Sequence, residues 1–295
     1  MGSHGGRVPV KRLISIVGPV LSDRPGASKR TRPTLFVIAL ALVIAATPLY
    51  AQRGAGRGGP PPAAREAAAL DLTGNWVSVV VEDWKWRMVT PKKGVYDSLP
   101  LNAEARKVAD SWDPAKDEAA GEQCRAYGAA NIMRLPGRLR ISWEDANTLR
   151  IDTDAGTQTR LLRFGPAAEA VRLASTSLSP GKPDTTSGEP SWQGHSVAQW
   201  EYAAGGRGAA RTGNLKVVTT NLRPGYVRKN GAPYSAKAVV TEYYDLNTMP
   251  NGDQWMTVTT KVEDPVYFTR SYLTTTDFKK LRDPAGWNPS PCSAR

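Results

Sequence analysis

His195 is the one histidine outside the basic N-terminal stretch, since the only other is His4. It stands in Trp192-Gln193-Gly194-His195-Ser196, at the start of a predicted strand, where an imidazole could move protons near neutral pH. A histidine so placed also serves as a surface or hydrogen-bonding residue. A Ser-His-acid triad would have to use it, and the chain has no Gly-x-Ser-x-Gly turn to supply the serine. Catalytic zinc sites usually take two or three histidines, so the sequence predicts no metal.

Carboxylates offer a second chemistry. Glu242 lies in the apolar run Ala238-Val239-Val240-Thr241-Glu242-Tyr243-Tyr244-Asp245 and shares a strand face with Val240 and Tyr244. A carboxylate turned into a barrel can act as a general base. Asp152 or the Glu263-Asp264 pair, chiefly Asp264, would be its partner. Turned outward, or paired with Arg140, Arg150 or Arg160, Glu242 would be structural instead.

Binding chemistry gathers in Arg223–Ser235, RPGYVRKNGAPYS, which sets Arg223, Arg228 and Lys229 beside Tyr226 and Tyr234. Basic and aromatic side chains together receive a carboxylate, a phosphate or a stacked ring. The same segment fits a rigid hairpin turned by Asn230-Gly231. Nine tryptophans build an aromatic core, and Trp86, Trp192 and Trp200 are candidate walls for an aromatic, terpenoid or sugar ligand.

The elements that must position these residues are strands. Residues 76–81, 138–144, 148–154, 157–164, 196–202, 214–221, 237–246, 254–263, 266–274 and 277–281 alternate or are β-branched. Trp84, Trp86 and Met88 extend the first alternation against Lys85, Arg87 and Val89. Short turns at Asp145-Ala146-Asn147 and Ala155-Gly156 predict a meander of hairpins. Helix is confined to an insertion near 102–128, where Asn102 caps residues 103–112, Pro114 ends them and a second helical turn or two follows over 115–128. Polar loops are predicted at 165–191 and 203–213. Many antiparallel strands in one body at 70–292 predict a mainly β fold, an antiparallel meander closing into a barrel without free edges.

The address is written upstream. Residues 35–46, LFVIALALVIAA, follow Lys29, Arg30 and Arg32 and precede Pro48 and Leu49-Tyr50-Ala51. That is the order of a secretory signal peptide over 1–51, cleaved after Ala51 into the periplasm or beyond. The apolar run is short of the roughly 20 residues that cross a membrane, and an uncleaved anchor is the alternative. A Gly/Pro/Ala-rich spacer follows at 52–69. Seven basic residues and one acid lie in 1–51, so half of the surplus of +12 belongs to the leader. The mildly basic remainder predicts no nucleic-acid partner. Cys124 and Cys292, the only cysteines, would pair in an oxidising compartment; two buried free thiols are the alternative.

Gly74-Asn75-Trp76 opens the first strand. This G-x-W resembles the opening motif of lipocalins and the wider calycin barrels, in which the tryptophan closes one end of the barrel. The predicted strands exceed a lipocalin's eight, and the helical insertion follows the first hairpin rather than the last strand. Segments 192–201, 219–235 and 240–245 are similar to a family of exported bacterial proteins, a likeness covering nearly all of 70–292 that implies no activity. The calycin resemblance implies a small apolar or aromatic ligand held in the barrel cavity, without a cofactor. The alternative is a cofactor-independent isomerase, lyase or hydrolase using Glu242, His195 and Asp264.

Overall fold

The computed structural model describes residues 61–178, 188–203 and 212–295. The expected leader, and residues 52–60 of the expected spacer, lie outside the described residues. Nine strands close a barrel in the order β1 (Gly74–Val79), β11 (Tyr272–Leu281), β10 (Gln254–Glu263), β9 (Val239–Thr248), β6 (Gly213–Thr220), β5 (His195–Tyr202), β4 (Gln158–Phe164), β3 (Thr148–Thr153) and β2 (Arg138–Trp143). A separate hairpin, β7 (Gly225–Arg228) and β8 (Ala232–Tyr234), stands outside that ring. The helices are α1 (Trp84–Arg87), α2 (Ala103–Asp110), α3 (Pro114–Ala119) and α4 (Ala167–Leu178).

The strand number forces one departure from a pure meander. Antiparallel neighbours alternate in direction, and nine strands cannot alternate around a closed ring, so one pair must run parallel. That pair is β4–β5, registered from Leu162↔Ser196 to Phe164↔Ala198. Parallel neighbours need a crossover, and α4 provides it where the sequence predicts a polar loop. Ala170 and Leu173 of α4 pack on Val197, Val218 and Val239, covering the outer face of β5, β6 and β9.

Two other local expectations change. The alternation at 84–88 is a helical turn, because Asp83 adopts a left-handed backbone (φ 52) that breaks the line of β1. The second helical stretch expected over 115–128 is present as α3, with Pro114 in its first turn and Asp113 as its cap, and as the 3-10 turn Arg125–Tyr127. In place of two strands at 266–274 and 277–281 there is one, β11, which begins only at Tyr272. Asp264 ends β10 by accepting from the amides of Val266 and Tyr267, which closes a turn. The cap at Asn102 holds as expected, its side chain accepting from Ala105 N at 2.9 Å.

Alternation decides what fills the barrel. Along β10, Met256, Val258, Thr260 and Val262 are buried while the residues between them are partly exposed. Trp76, Arg160, Leu162, Val217, Tyr244 and Met256 each expose 0% of their surface. Trp76, Leu162, Val217, Tyr244 and Met256 belong to one cluster of buried side chains with Leu139, Ile151 and Phe278, so the protein's own side chains occupy the lumen where a ligand was expected. This fits the geometry of barrels near eight strands, whose interior is just wide enough for side chains.

Cys124 and Cys292 form a disulfide across 168 residues. It joins the helical insertion to the C-terminal tail, which runs along the β3–β4 turn through Ser290 N to Asp154 O at 2.9 Å.

Buried tyrosines make the fold sensitive to alkali. Burial pushes the Tyr226 hydroxyl up to about 12, and it raises Tyr234 and Tyr244 too. Unfolded tyrosines ionise near pH 10. Stability is therefore complete below about pH 10 and falls as pH rises toward the folded values, because the unfolded chain then holds fewer protons. Urea midpoints measured from about pH 8 to about pH 11 should be flat and then drop steeply; a midpoint unchanged through that range would refute this.

Candidate functional site

Glu242 projects from β9 into the lumen and is fully buried. Arg160 on β4 donates to its two oxygens from Nη1 at 2.8 Å and Nη2 at 2.6 Å. Nη1 also reaches the Tyr244 hydroxyl at 3.5 Å. Burial works against the Arg160 charge, but the charge of Glu242, Tyr244 and the hydrogen bonds they make outweigh it and raise the guanidinium pKa. For Tyr244, burial first and then the Glu242 charge raise the hydroxyl. The result is an ion pair spanning the lumen, with both carboxylate oxygens engaged.

The other acid/base candidates lie elsewhere on the strands. Glu242 is level with Val217, and Val217 with Ala198. His195 lies three residues from Ala198, so alternation turns it to the other face of β5. Asp264 lies four residues beyond Thr260, the register partner of Glu242. It accepts from Ser235 Oγ at 2.9 Å and Val266 N at 2.8 Å. Asp152 accepts from Arg150 Nε at 2.9 Å and Thr159 Oγ1 at 2.6 Å.

Much of Arg223–Ser235 fastens the β7–β8 hairpin to the helical insertion. The Tyr226 hydroxyl donates to Asp117 at 2.9 Å and accepts from Arg125 at 3.1 Å. Arg223 donates to Glu122 at 2.7 Å and lies 4.1 Å over the Trp192 ring. Tyr234 is fully buried. Gly231 turns the hairpin at φ 84, against the Trp112 ring, where a Cβ would collide. Trp200 stacks on Phe164 with centroids 5.1 Å apart and donates to Ala64 O at 2.8 Å.

Trp86 and Arg228 are brought together, and the residues between them form a cleft. Arg87, Asn131, Arg134, Val227, Arg228 and Lys229 line it beside Trp86, and it encloses about 30 Å³. Arg87, Arg134 and Arg228 are 9%, 5% and 4% exposed, so all three guanidinium groups are withdrawn from water. Each is delivered by a different device: the α1 turn after Asp83, the 3-10 turn Ile132–Arg134, and the end of β7.

The charges of the cleft are unevenly matched. Arg87 pairs with Glu82 and donates to Arg134 O at 2.9 Å. Arg134 Nη2 donates to Asp83 at 2.9 Å, while its Nη1 is buried without a hydrogen-bond partner. Arg228 lies 4.8 Å over the Trp86 ring and donates to Asp97 O at 3.1 Å and Ser98 Oγ at 3.2 Å. Burial, aided by the charge of Arg134, holds both Arg87 and Arg228 below the ordinary arginine value. Such an arrangement can attract an anion and stack a flat group.

Sequence reasoning missed Arg87 and Arg134. Arg134 left one sign: it interrupts the apolar run Ile132-Met133-Arg134-Leu135. No cluster of three or more metal-binding side chains occurs among the described residues, and no helix there is long and apolar enough to cross a membrane. The disulfide fits an oxidising, extracytoplasmic environment.

The closed barrel is consistent with the calycin-like architecture that Gly74-Asn75-Trp76 implies. Trp76 is buried in the core and donates from its indole to Leu72 O at 2.9 Å. Compared with protein-family models, with curated proteins and with solved structures, the chain matches none.

Proposed function

We propose that this is an exported binding protein that takes a small, ring-bearing molecule at the cleft beside Trp86. The filled barrel acts as its rigid support. The observation that carries this reading is the Trp86 ring held against Arg228 at the edge of an enclosed cleft. The basic and then apolar order of residues 29–46 and the disulfide support export. A β-barrel is compatible with ligand binding, and here the loops and turns around the strands, rather than the lumen, offer the contact surface. The acid/base reading would require substrate to reach Glu242, whose oxygens are both held by Arg160.

Isothermal titration with a panel of small aromatic compounds tests the proposal. The wild type should bind at least one of them, and Trp86→Ala should weaken that binding about tenfold, the worth of a lost ring or cation–π contact. Binding indifferent to Trp86→Ala, or no binding by any member of the panel, would contradict it.

A further inference from the structure

We infer that the cleft is an oxyanion site: one carboxylate or phosphate group of the ligand seats against Arg134, between Arg87 and Arg228, with its ring along Trp86. The inference rests on the cleft being the ligand site and specifies the chemical class that it takes.

Three observations converge on it. The first is an unsatisfied donor. Arg134 is more than nine-tenths buried, yet its Nη1 has no partner. A buried, charged N–H left unpaired is unfavourable unless something completes it. The second is charge. Glu82 and Asp83 are the carboxylates hydrogen-bonded to these arginines among the described residues, and Asp277 attracts Arg87 without a hydrogen bond, so three guanidinium groups share two hydrogen-bonded carboxylates. Arg228 makes its hydrogen bonds to Val95 O, Asp97 O and a serine hydroxyl, none of which carries charge. An anion would offset the mutual repulsion of the three arginines, which a water molecule cannot do.

The third is size. About 30 Å³ is enclosed, and one water needs roughly 10–15 Å³ measured in the same way. The space suits a single oxyanion head and excludes a ring, which must then lie outside it, against the indole, where it takes the place of the exposed Lys85 ammonium 4.5 Å from the Trp86 ring. Asn131 is already committed, donating to Ala126 O at 2.8 Å, and the Lys229 ammonium is directed at Tyr127 and the carbonyl of Arg295. Among the buried side chains of the cleft, the guanidinium of Arg134 is thus the donor left to define the site, with the exposed Thr90 hydroxyl at its rim.

The test compares benzoate, phenyl phosphate and uncharged benzamide by isothermal titration on the purified protein, at fixed and then at varied salt. At least one anion should bind ten times or more tightly than benzamide, and its affinity should fall as salt rises. The tighter of the two anions identifies the oxyanion. Arg134→Gln should weaken the anion tenfold or more and leave benzamide unchanged. Benzamide binding as well as both anions would overturn the inference while leaving the cleft as the ligand site. Failure of all three compounds to bind would overturn both. Should Arg134→Gln fail to fold, the wild-type salt series decides, and an anion affinity indifferent to salt overturns the inference.

Discussion

Glu242→Ala is expected to destabilise the protein by about 3–5 kcal/mol, the usual effect of removing one partner of a buried ion pair. The carboxylate accepts both Arg160 hydrogen bonds in a lumen that neither residue shares with solvent. Without it, a guanidinium is left charged and unpaired among Leu162, Tyr244 and their neighbours. The effect belongs to stranding the charge rather than to the strength of the pair. The double variant Arg160→Met, Glu242→Leu should therefore recover most of the loss and can equal or exceed the wild type. Urea unfolding of the two variants beside the wild type checks this. A Glu242→Ala protein within about 1 kcal/mol of wild type would mean that solvent or another group reaches the pair.

The second large effect concerns the disulfide. Replacing both Cys124 and Cys292 by serine opens a loop of 168 residues. Chain entropy assigns such a closure about 5 kcal/mol, and losing a native disulfide typically costs about 2–5 kcal/mol. The local consequence should be a freed tail. Residues 290–295 are held by Thr157 Oγ1 to Ser290 O at 3.0 Å, by Ser293 N to the Tyr127 hydroxyl at 3.3 Å and by the bridge. Hydrogen exchange in that tail should accelerate before global unfolding sets in. Denaturant midpoints that do not move when reductant is added to the wild type would contradict the expectation.

The barrel was legible because amphipathic alternation is a local property. Each of β2, β3, β4 and β10 carries its own period-two pattern, and each expected span matches its strand to within a residue. The crossover helix was not legible in the same way. Its need arises from the parity of nine strands in a ring, which no single segment encodes, and AAEAVRLASTSL offers only modest spacing of Ala170 and Leu173. Around Trp84 and Trp86, alternation misled, since one left-handed residue at Asp83 converts a strand into a turn.

The same division holds for the side chains. Arg160 shares a strand face with Leu162, so its inward direction was readable, and it stood among the three arginines weighed for Glu242. Which of the three it would be depended on strand order. Arg87 and Arg134 lie 47 residues apart and meet only because α1 folds back onto the 3-10 turn. Trp86 and Arg228 were each visible as candidates, but their meeting depends on where the hairpin docks.

Ligand is expected to bind at the cleft and to leave the lumen untouched. The most direct measurement is the set of indole N–H resonances of the nine tryptophans, assigned by single Trp→Phe variants and followed during titration with phenyl phosphate. The expected result is a saturable shift at Trp86, with Trp76, whose indole is bonded to Leu72 O inside the core, unmoved. A shift at Trp76 with Trp86 unchanged would put the ligand inside the barrel and contradict the claim.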